Sequence, residues 1–403
     1  MLKYQFIISF NNIIAGDKLK NVNKSRRKIK IAVIPGDGIG PEVIAEGIKV
    51  INAVSEVLNI NIEWEYFPFG ADYYLETGKL ITEDDLKTLR KFDAIYLGAI
   101  GDPRVSPGIL ERGIVLTLRF YFDQYINLRP VRLLPGVETP LKEKSPEHIN
   151  FDIIRENTED FYIGLGGVIK NFRSKEELRI IREIYKIKFD IDIETDSKEL
   201  AYDIGVITKE GAERVIEYSF EYALKNNRSK ITFVDKANII THIYHLWRET
   251  IEEIAKKYPE INYEYEYADA IAMHLVRAPE RYQIITAPNL FGDVLSDLGA
   301  ALMGGLGMAP GANINPKGIS MFEPIHGSAP KYKGKYVANP IATIWAGAIM
   351  LRELGIREGH DLILKAIIEV LKEGKVKTYD LGGNSKTYEV GDEIVRKIKM
   401  FTT

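Results

Sequence analysis

The sequence predicts an α/β protein, a sheet with helices packed on it, and three observations carry that reading. Short apolar runs suited to buried strands recur along the chain, each followed by a loop and then by helical periodicity. These runs end in polar or charged residues, so chemistry is expected where strands hand over to loops, along one edge of the sheet. The glycine turn Gly36, Gly38 and Gly40 has the spacing G-x-G-x-G, whereas a dinucleotide-binding Rossmann unit needs G-x-G-x-x-G; the fold is therefore expected not to be a Rossmann fold. At 403 residues the chain exceeds what one hydrophobic core usually serves, and two domains are expected.

Met1 to Lys30 holds a short apolar piece, Tyr4 to Phe10, followed by basic residues, the reverse order of a secretory signal. It reads as an extra strand or a loose tail on a cytoplasmic protein. Ile29 to Ile34 is the first core strand. It runs into the glycine turn, and a helix follows with Ile44, Ile48, Ile51, Val54 and Leu58 on one face and Pro41 at its first position. Strand, glycine turn, helix is also the order of an anion site.

Phe92 to Leu97 is the next strand, and Leu110 to Gln124 reads as one helix. Arg119 and Arg129 fall in this passage, and Arg155 closes the strand Phe151 to Ile154. A single arginine usually marks a solvated surface. Three at element ends suit carboxylates, which the guanidinium fork grips bidentately. Val168 to Leu200 is charge-rich and irregular, an arm or insertion; Gly205 to Leu224 is an amphipathic helix. The strand Lys230 to Val234 delivers Asp235, Lys236 and Asn238, and the alternating run Tyr263 to Tyr267 leads to Asp269. After the strand Tyr282 to Thr286 comes Asn289 to Asp297, which sets Asp293 and Asp297 one helical turn apart on one face. Such a pair is either merely solvated or part of a site for a hard divalent cation. His326, in Glu323-Pro-Ile-His-Gly-Ser-Ala-Pro, is open to a structural or a functional reading, and Ala338-Asn-Pro-Ile-Ala precedes a small-residue helix.

With 45% hydrophobic and 28% charged residues the composition is that of a globular protein, and a net charge of -3 argues against nucleic acid or anionic membrane as partner. Cysteine is absent, which excludes disulfides, thiol nucleophiles and thiolate metal sites. No apolar run reaches the length of a membrane span.

Gly36-Asp-Gly-Ile-Gly-Pro-Glu, Asn127-Leu-Arg-Pro, Arg155-Glu-Asn-Thr-Glu, Asp235-Lys-Ala-Asn, Asn289-Leu-Phe-Gly-Asp-Val-Leu-Ser-Asp and His326-Gly-Ser-Ala-Pro together resemble the β-decarboxylating dehydrogenases, the family of isocitrate, isopropylmalate, homoisocitrate and tartrate or D-malate dehydrogenases. The resemblance runs over nearly the whole chain from Ile31 and implies an isopropylmalate-dehydrogenase-like, two-domain α/β sandwich that works as a homodimer. Mapped on this sequence, it implies an N-terminal extension at 1–28, a large nucleotide-binding domain at 29–124 plus 304–403, and a small dimerisation and metal domain at 125–303 with an arm at 168–200 that clasps a partner subunit.

By position the resemblance implies that Arg119, Arg129 and Arg155 bind substrate carboxylates. It gives Mg²⁺ or Mn²⁺ to Asp293 and Asp297 with Asp269 of the partner subunit, and it makes Tyr162 and the partner subunit's Lys236 the proton-transfer residues. Substrate choice lies before Arg119, where Ile114, Val115 and Leu116 suit an isopropyl group and point to 3-isopropylmalate, converted to 4-methyl-2-oxopentanoate in leucine biosynthesis. D-malate or tartrate is the alternative, with homoisocitrate or isocitrate beside it, Arg112 being placed to meet an extra carboxylate as in homoisocitrate. A non-catalytic regulatory subunit, the reading of a different class, fits less well because Lys236, Tyr162 and the three aspartates are present. His326, Gly327, Ser328, Ala329 and Asn339 are implied to hold the dinucleotide. Lys331 and Tyr332 stand where NAD-dependent members carry an aspartate, and with Tyr379 further on they look like the phosphate site of NADP-dependent isocitrate dehydrogenases; a cation there attracts a 2′-phosphate, so NADP is expected over NAD. The arginine expected four residues after Tyr379 is replaced by Gly383.

Overall fold

In the computed structural model, which describes residues 28–170, 172–182 and 184–402, the first strand shows how the layers form. β1 (Ile29–Gly36) sends Ile31 and Val33 into one apolar cluster and Ala32 and Ile34 into another, because side chains alternate across a strand. The sheet is thus covered on both faces, as an α/β fold requires. Tyr4 to Phe10, expected as a strand or tail, lies outside the described residues.

The turn after β1 shows what its glycines are for. Gly36 and Gly38 have φ of +72° and +57°, the left-handed region that favours glycine. A Cβ on Gly36 would collide with the carbonyl oxygen of Ala99, and one on Gly38 with that of Ser328. The G-x-G-x-G spacing therefore lets this turn lie against two other segments. Asp37 between them accepts the Ala71 N–H at 2.7 Å and the Gly101 N–H at 2.9 Å. α1 (Gly40–Leu58) follows with Ile44, Ile48, Ile51 and Val54 buried, and Pro41 stands at its second position, one later than expected.

β2 (Ile62–Tyr66), α2 (Ala71–Thr77), α3 (Glu83–Leu89) and β3 (Ala94–Ala99) come next. Glu111–Leu116, expected within one regular helix, is a wider π-helical turn that runs into α4 (Thr117–Tyr121). Thr117 fixes the wider spacing: its N–H and its hydroxyl, at 2.9 Å, both reach the Arg112 carbonyl. β4 (Ile126–Arg132) and β5 (Asn150–Glu156) lead to the segment expected to be irregular. It is strand instead: β6 (Gly166–Ile169) pairs with β9 (Leu200–Asp203), and β7 (Arg173–Ile181) with β8 (Lys186–Glu194). The cause is an alternation that the charges conceal, Ile187, Phe189, Ile191 and Ile193 on one face and Lys188, Asp190 and Asp192 on the other.

α5 (Lys209–Lys225), β10 (Lys230–Asp235), α6 (Thr241–Ala255), β11 (Asn262–Tyr267), α7 (Ala268–Arg277), β12 (Ile284–Ala287) and α8 (Asn289–Leu302) follow in strand-helix succession. β13 (Pro310–Ile314) and β14 (Ser320–Pro324) precede α9 (Ile341–Glu353), α10 (Arg357–Glu373) and α11 (Thr387–Thr402). α9 is buried from Ile341 to Leu351, as suits a helix apolar all round. Ten strands form one sheet of order β11-β10-β12-β5-β4-β13-β14-β3-β1-β2. β4 is antiparallel to β5 and β13, and β13 to β14, so the parallel block β5-β12-β10-β11 runs opposite to the block β14-β3-β1-β2. The shared site edge expected from the sequence holds within each block and reverses across β4 and β13. Among the described residues no helix is long and apolar enough to cross a membrane.

Candidate active site

α8 starts directly after β12 and carries Asp293 and Asp297 on one face. It sits tightly on β5 because residue 292 is glycine: a Cβ there would stand 2.6 Å from Cβ and Cγ of Arg155. That approach brings the Asp293 carboxylate onto the Arg155 guanidinium and to 3.6 Å from Nη2 of Arg129, while Asp297 lies 3.5 Å from Nη1 of Arg129. Burial raises the pKa of Asp293, but the Arg155 and Arg129 guanidiniums and the Tyr162 hydroxyl outweigh it and leave the carboxyl below its ordinary value. For Asp297 burial outweighs the Arg129 charge, and its pKa is raised.

The arginines are steered mostly by neutral groups. Nε of Arg129 donates to Asn127 Oδ1 at 2.9 Å and its Nη1 to the Ser296 hydroxyl at 2.7 Å. Nε of Arg155 donates to Asn289 Oδ1 at 2.8 Å, and Arg119 of α4 donates to Glu323 Oε1 at 3.1 Å. Burial and the like charges of Arg129 and Arg119 pull Arg155 down to about 9, which leaves it charged at neutral pH. Two buried donors, Nε of Arg119 and Nη2 of Arg155, have no partner. An orphaned buried guanidinium N–H is costly, and the arrangement suits a bound carboxylate.

Tyr162 closes one side. Arg155 stacks on its ring with 4.9 Å between guanidinium carbon and centroid, and its hydroxyl donates to Asp293 Oδ2 at 2.6 Å. Burial and that bond push Tyr162 up to about 12, so the phenol keeps its proton at neutral pH. Val115 and Leu116 are half-buried, whereas Ile114 belongs to the core. Arg112 donates to the Gly108 carbonyl at 3.0 Å.

Lys236, after β10, and Asp269, in the first turn of α7, form a pair of their own at 2.5 Å, and the lysine holds the Asp269 carboxyl below its ordinary value. Asp269 is 70% exposed. Among the described residues no three acidic or imidazole groups converge as metal ligands. One chain therefore does not assemble Asp269, Asp293 and Asp297. Asp293 and Asp297, two oxygen donors one turn apart, fit part of a hard-cation site.

Where β14 ends, residues 326–329 wrap the glycine turn. The Ile39 N–H donates to the Ser328 carbonyl at 2.8 Å, and the Ser328 hydroxyl to the Gly101 carbonyl at 2.5 Å. Ala329 is held at φ +41°, an uncommon conformation for a residue with a Cβ. Nε2 of His326 is buried without a partner, and open space lies where Gly327 lacks a Cβ; this cradle fits a polar ligand. Beside it, Nζ of Lys331 lies 4.8 Å from the Tyr332 ring centre, Nζ of Lys335 lies 5.9 Å from it, and Tyr332 packs on Tyr379 at 5.6 Å. The Tyr379 hydroxyl, then Lys331, hold the Tyr332 phenol below its ordinary value. Asn339 is already engaged, donating to Asp380 Oδ2 at 3.0 Å and accepting the Ile341 N–H at 3.0 Å.

Sequence reasoning assigned no role to Glu323, Asn127, Asn289, Ser296 or Asn313, which steer the arginines: Asn313 donates to Glu323 at 2.7 Å and accepts from Asn127 at 2.9 Å. The available signal was position, Asn127 two residues before Arg129 and Asn289 four before Asp293.

Orphaned guanidinium donors beside a carboxylate pair form the candidate site, and comparison with known proteins gives the class of the protein, the decarboxylating dehydrogenases acting on CH–OH donors. The chain belongs to the isocitrate/isopropylmalate dehydrogenase family, whose model matches residues 30–394. It is 41% identical over 376 residues to 3-isopropylmalate dehydrogenase of Thermobifida fusca, covering 93% of this chain and 99% of that one. It is also 41% identical over 381 residues to the decarboxylating D-malate dehydrogenase of Escherichia coli, covering 92% and 99%. The crystal structure of isocitrate dehydrogenase from Methylococcus capsulatus superposes with a TM-score of 0.79 at 34% identity, covering 92% of this chain and 99% of that one.

Proposed function

We propose that the protein oxidatively decarboxylates 3-isopropylmalate to 4-methyl-2-oxopentanoate, as an NADP-preferring, metal-dependent homodimer in the cytoplasm, with no nucleic-acid partner. The observation that carries the reaction type is the pair of buried, partnerless donors on Arg119 and Arg155, the latter bound to Asp293 through its other amino group. The relative from Thermobifida fusca and the half-buried Val115 and Leu116 support the isopropyl-bearing acid. Arg119, Arg129 and Arg155 hold the two carboxylates and orient the C–H bond. Asp293, Asp297 and Asp269 of the partner subunit would hold Mg²⁺ or Mn²⁺, and residues 326–332 with Tyr379 would hold the dinucleotide. When bound, the cation supplies Lewis acidity at the hydroxyl and the nicotinamide a hydride acceptor. Lys236 of the partner subunit accepts the hydroxyl proton. Tyr162, protonated and aimed by Asp293, donates a proton to the carbon that loses its carboxylate.

Homodimerisation is supported by Met273 and Val276 on α7 and Val294 on α8, apolar side chains 47%, 48% and 62% exposed on the helices that carry Asp269 and Asp293. NADP preference is supported by Lys331 beside Tyr332. The test is a panel of 3-isopropylmalate, isocitrate, homoisocitrate, D-malate and tartrate with Mg²⁺ and either dinucleotide. The highest kcat/KM is expected with 3-isopropylmalate and NADP. A higher value with D-malate would move the substrate to that branch, a much higher value with NAD would overturn the dinucleotide choice, and no turnover at all would point to the regulatory reading.

A further inference from the structure

The turn of the β7–β8 hairpin reaches back to the candidate site. Arg182 and Tyr185 pair across it, the Arg182 N–H donating to the Tyr185 carbonyl at 2.9 Å, and both side chains are half-buried. The Arg182 guanidinium carbon lies 4.0 Å from the Phe120 ring centre, and its Nη2 stands 3.4 Å from the Thr158 carbonyl oxygen. Burial, and then the Glu159 carboxylate beside it, raise the pKa of the Tyr185 phenol. Phe120 directly follows Arg119, and Thr158 is three residues past Arg155. One side chain thus bridges the two segments that carry these guanidiniums. Burial lowers the Arg182 pKa, and the charges of Tyr185, Glu156, Glu159 and Asp123 oppose that only in part; the neighbouring cation, Arg214, is committed to Asp123 at 2.6 Å and to the Thr158 hydroxyl at 3.1 Å.

We propose that Arg182 is a positioning residue for the substrate, clamping Phe120 to Thr158 and so fixing the spacing between the Arg119 and Arg155 guanidiniums. The proposal rests on reading those two arginines as the carboxylate grip. Bidentate recognition tolerates little misplacement, and a planar guanidinium stacked on a ring holds its partner better than a flexible ammonium.

The test compares the parent with R182A, F120L, the double variant and R182K, by steady-state kinetics and by amide hydrogen exchange. Each single variant is expected to raise KM for the 2-hydroxy acid about tenfold, with kcat and the dinucleotide KM changed by less than about twofold. The double variant should be no worse than R182A, since coupled partners are not additive. R182K, which keeps charge without the stack, should recover less than half of the loss. Exchange in R182A should speed up in residues 117–122 and 156–160. A parental KM in R182A, an equal rise in the dinucleotide KM, full recovery in R182K or additive loss in the double variant would overturn the clamp. If the parent oxidises none of the acids, the functional reading fails, and exchange alone decides the clamp: unchanged protection of both segments in R182A overturns it.

Discussion

Asp293 is the residue on which the charges of the candidate site turn. It takes the Arg155 guanidinium, faces Arg129, and accepts the Tyr162 hydroxyl at 2.6 Å. If it is also a metal ligand, Asp293→Asn should lower turnover by more than the roughly 10–100-fold typical of groups that merely orient ligands. Asn keeps the shape and can still accept from Tyr162, so circular dichroism and oligomeric mass should be unchanged. Steady-state kinetics across a Mg²⁺ titration checks this, and a variant as active as the parent would refute the assignment. The charged members of the candidate site were legible in the sequence because charge at the end of an apolar strand is a local signal, as at Arg155, and so are carboxylates one helical turn apart, as at Asp293 and Asp297. Glu323, Asn313 and Ser296 were not, because their part arises only once β4, β13, β14 and α8 are packed together.

Among the elements, the β7–β8 hairpin shows how composition can hide a pattern. Lysine and aspartate made residues 168–200 look irregular, yet Lys186-Ile-Lys-Phe-Asp-Ile-Asp-Ile-Glu has the period of two that a strand needs. The π-helical turn at Glu111–Leu116 had no such signal, since its hydrogen-bond spacing depends on Thr117 capping Arg112. On one face of the ribbon Arg173, Lys175 and Lys188 pair with Asp192, Glu177 and Asp190. On the other, Leu178, Phe189 and Ile191 are only half covered. A two-stranded ribbon with such a face is marginal alone in water and needs another surface. If that surface is a second copy of the chain, replacing residues 173–194 by a short glycine-serine linker should weaken the dimer at least about tenfold. Sedimentation over a dilution series reads this, and a dimer equally stable at every dilution would contradict the clasp.

At the scale of the molecule, the decisive fact is division. β5, β12 and α8 gather Arg155, Asp293 and Tyr162 into one group, while β10 and α7 give Lys236 and Asp269 to another, paired with each other at 2.5 Å. The sequence placed Arg155, Lys236 and Asp269 at element ends, Asp293 one turn from Asp297 on a helix, and Tyr162 only through the family resemblance; it carried no measure of the distance between the two groups, because that distance arises only once the elements are packed. If the catalytic site is completed across a two-fold axis, Asp293→Asn and Lys236→Met homodimers should both be inactive. A heterodimer with one variant in each chain then puts both defects in one site and leaves the other whole, so it should regain about half of the parent activity by symmetry. Differently tagged chains, co-expressed and purified through both tags, give that heterodimer. Were the site contained within a single chain, each of its two sites would carry one defect, and the heterodimer would be as inactive as either homodimer.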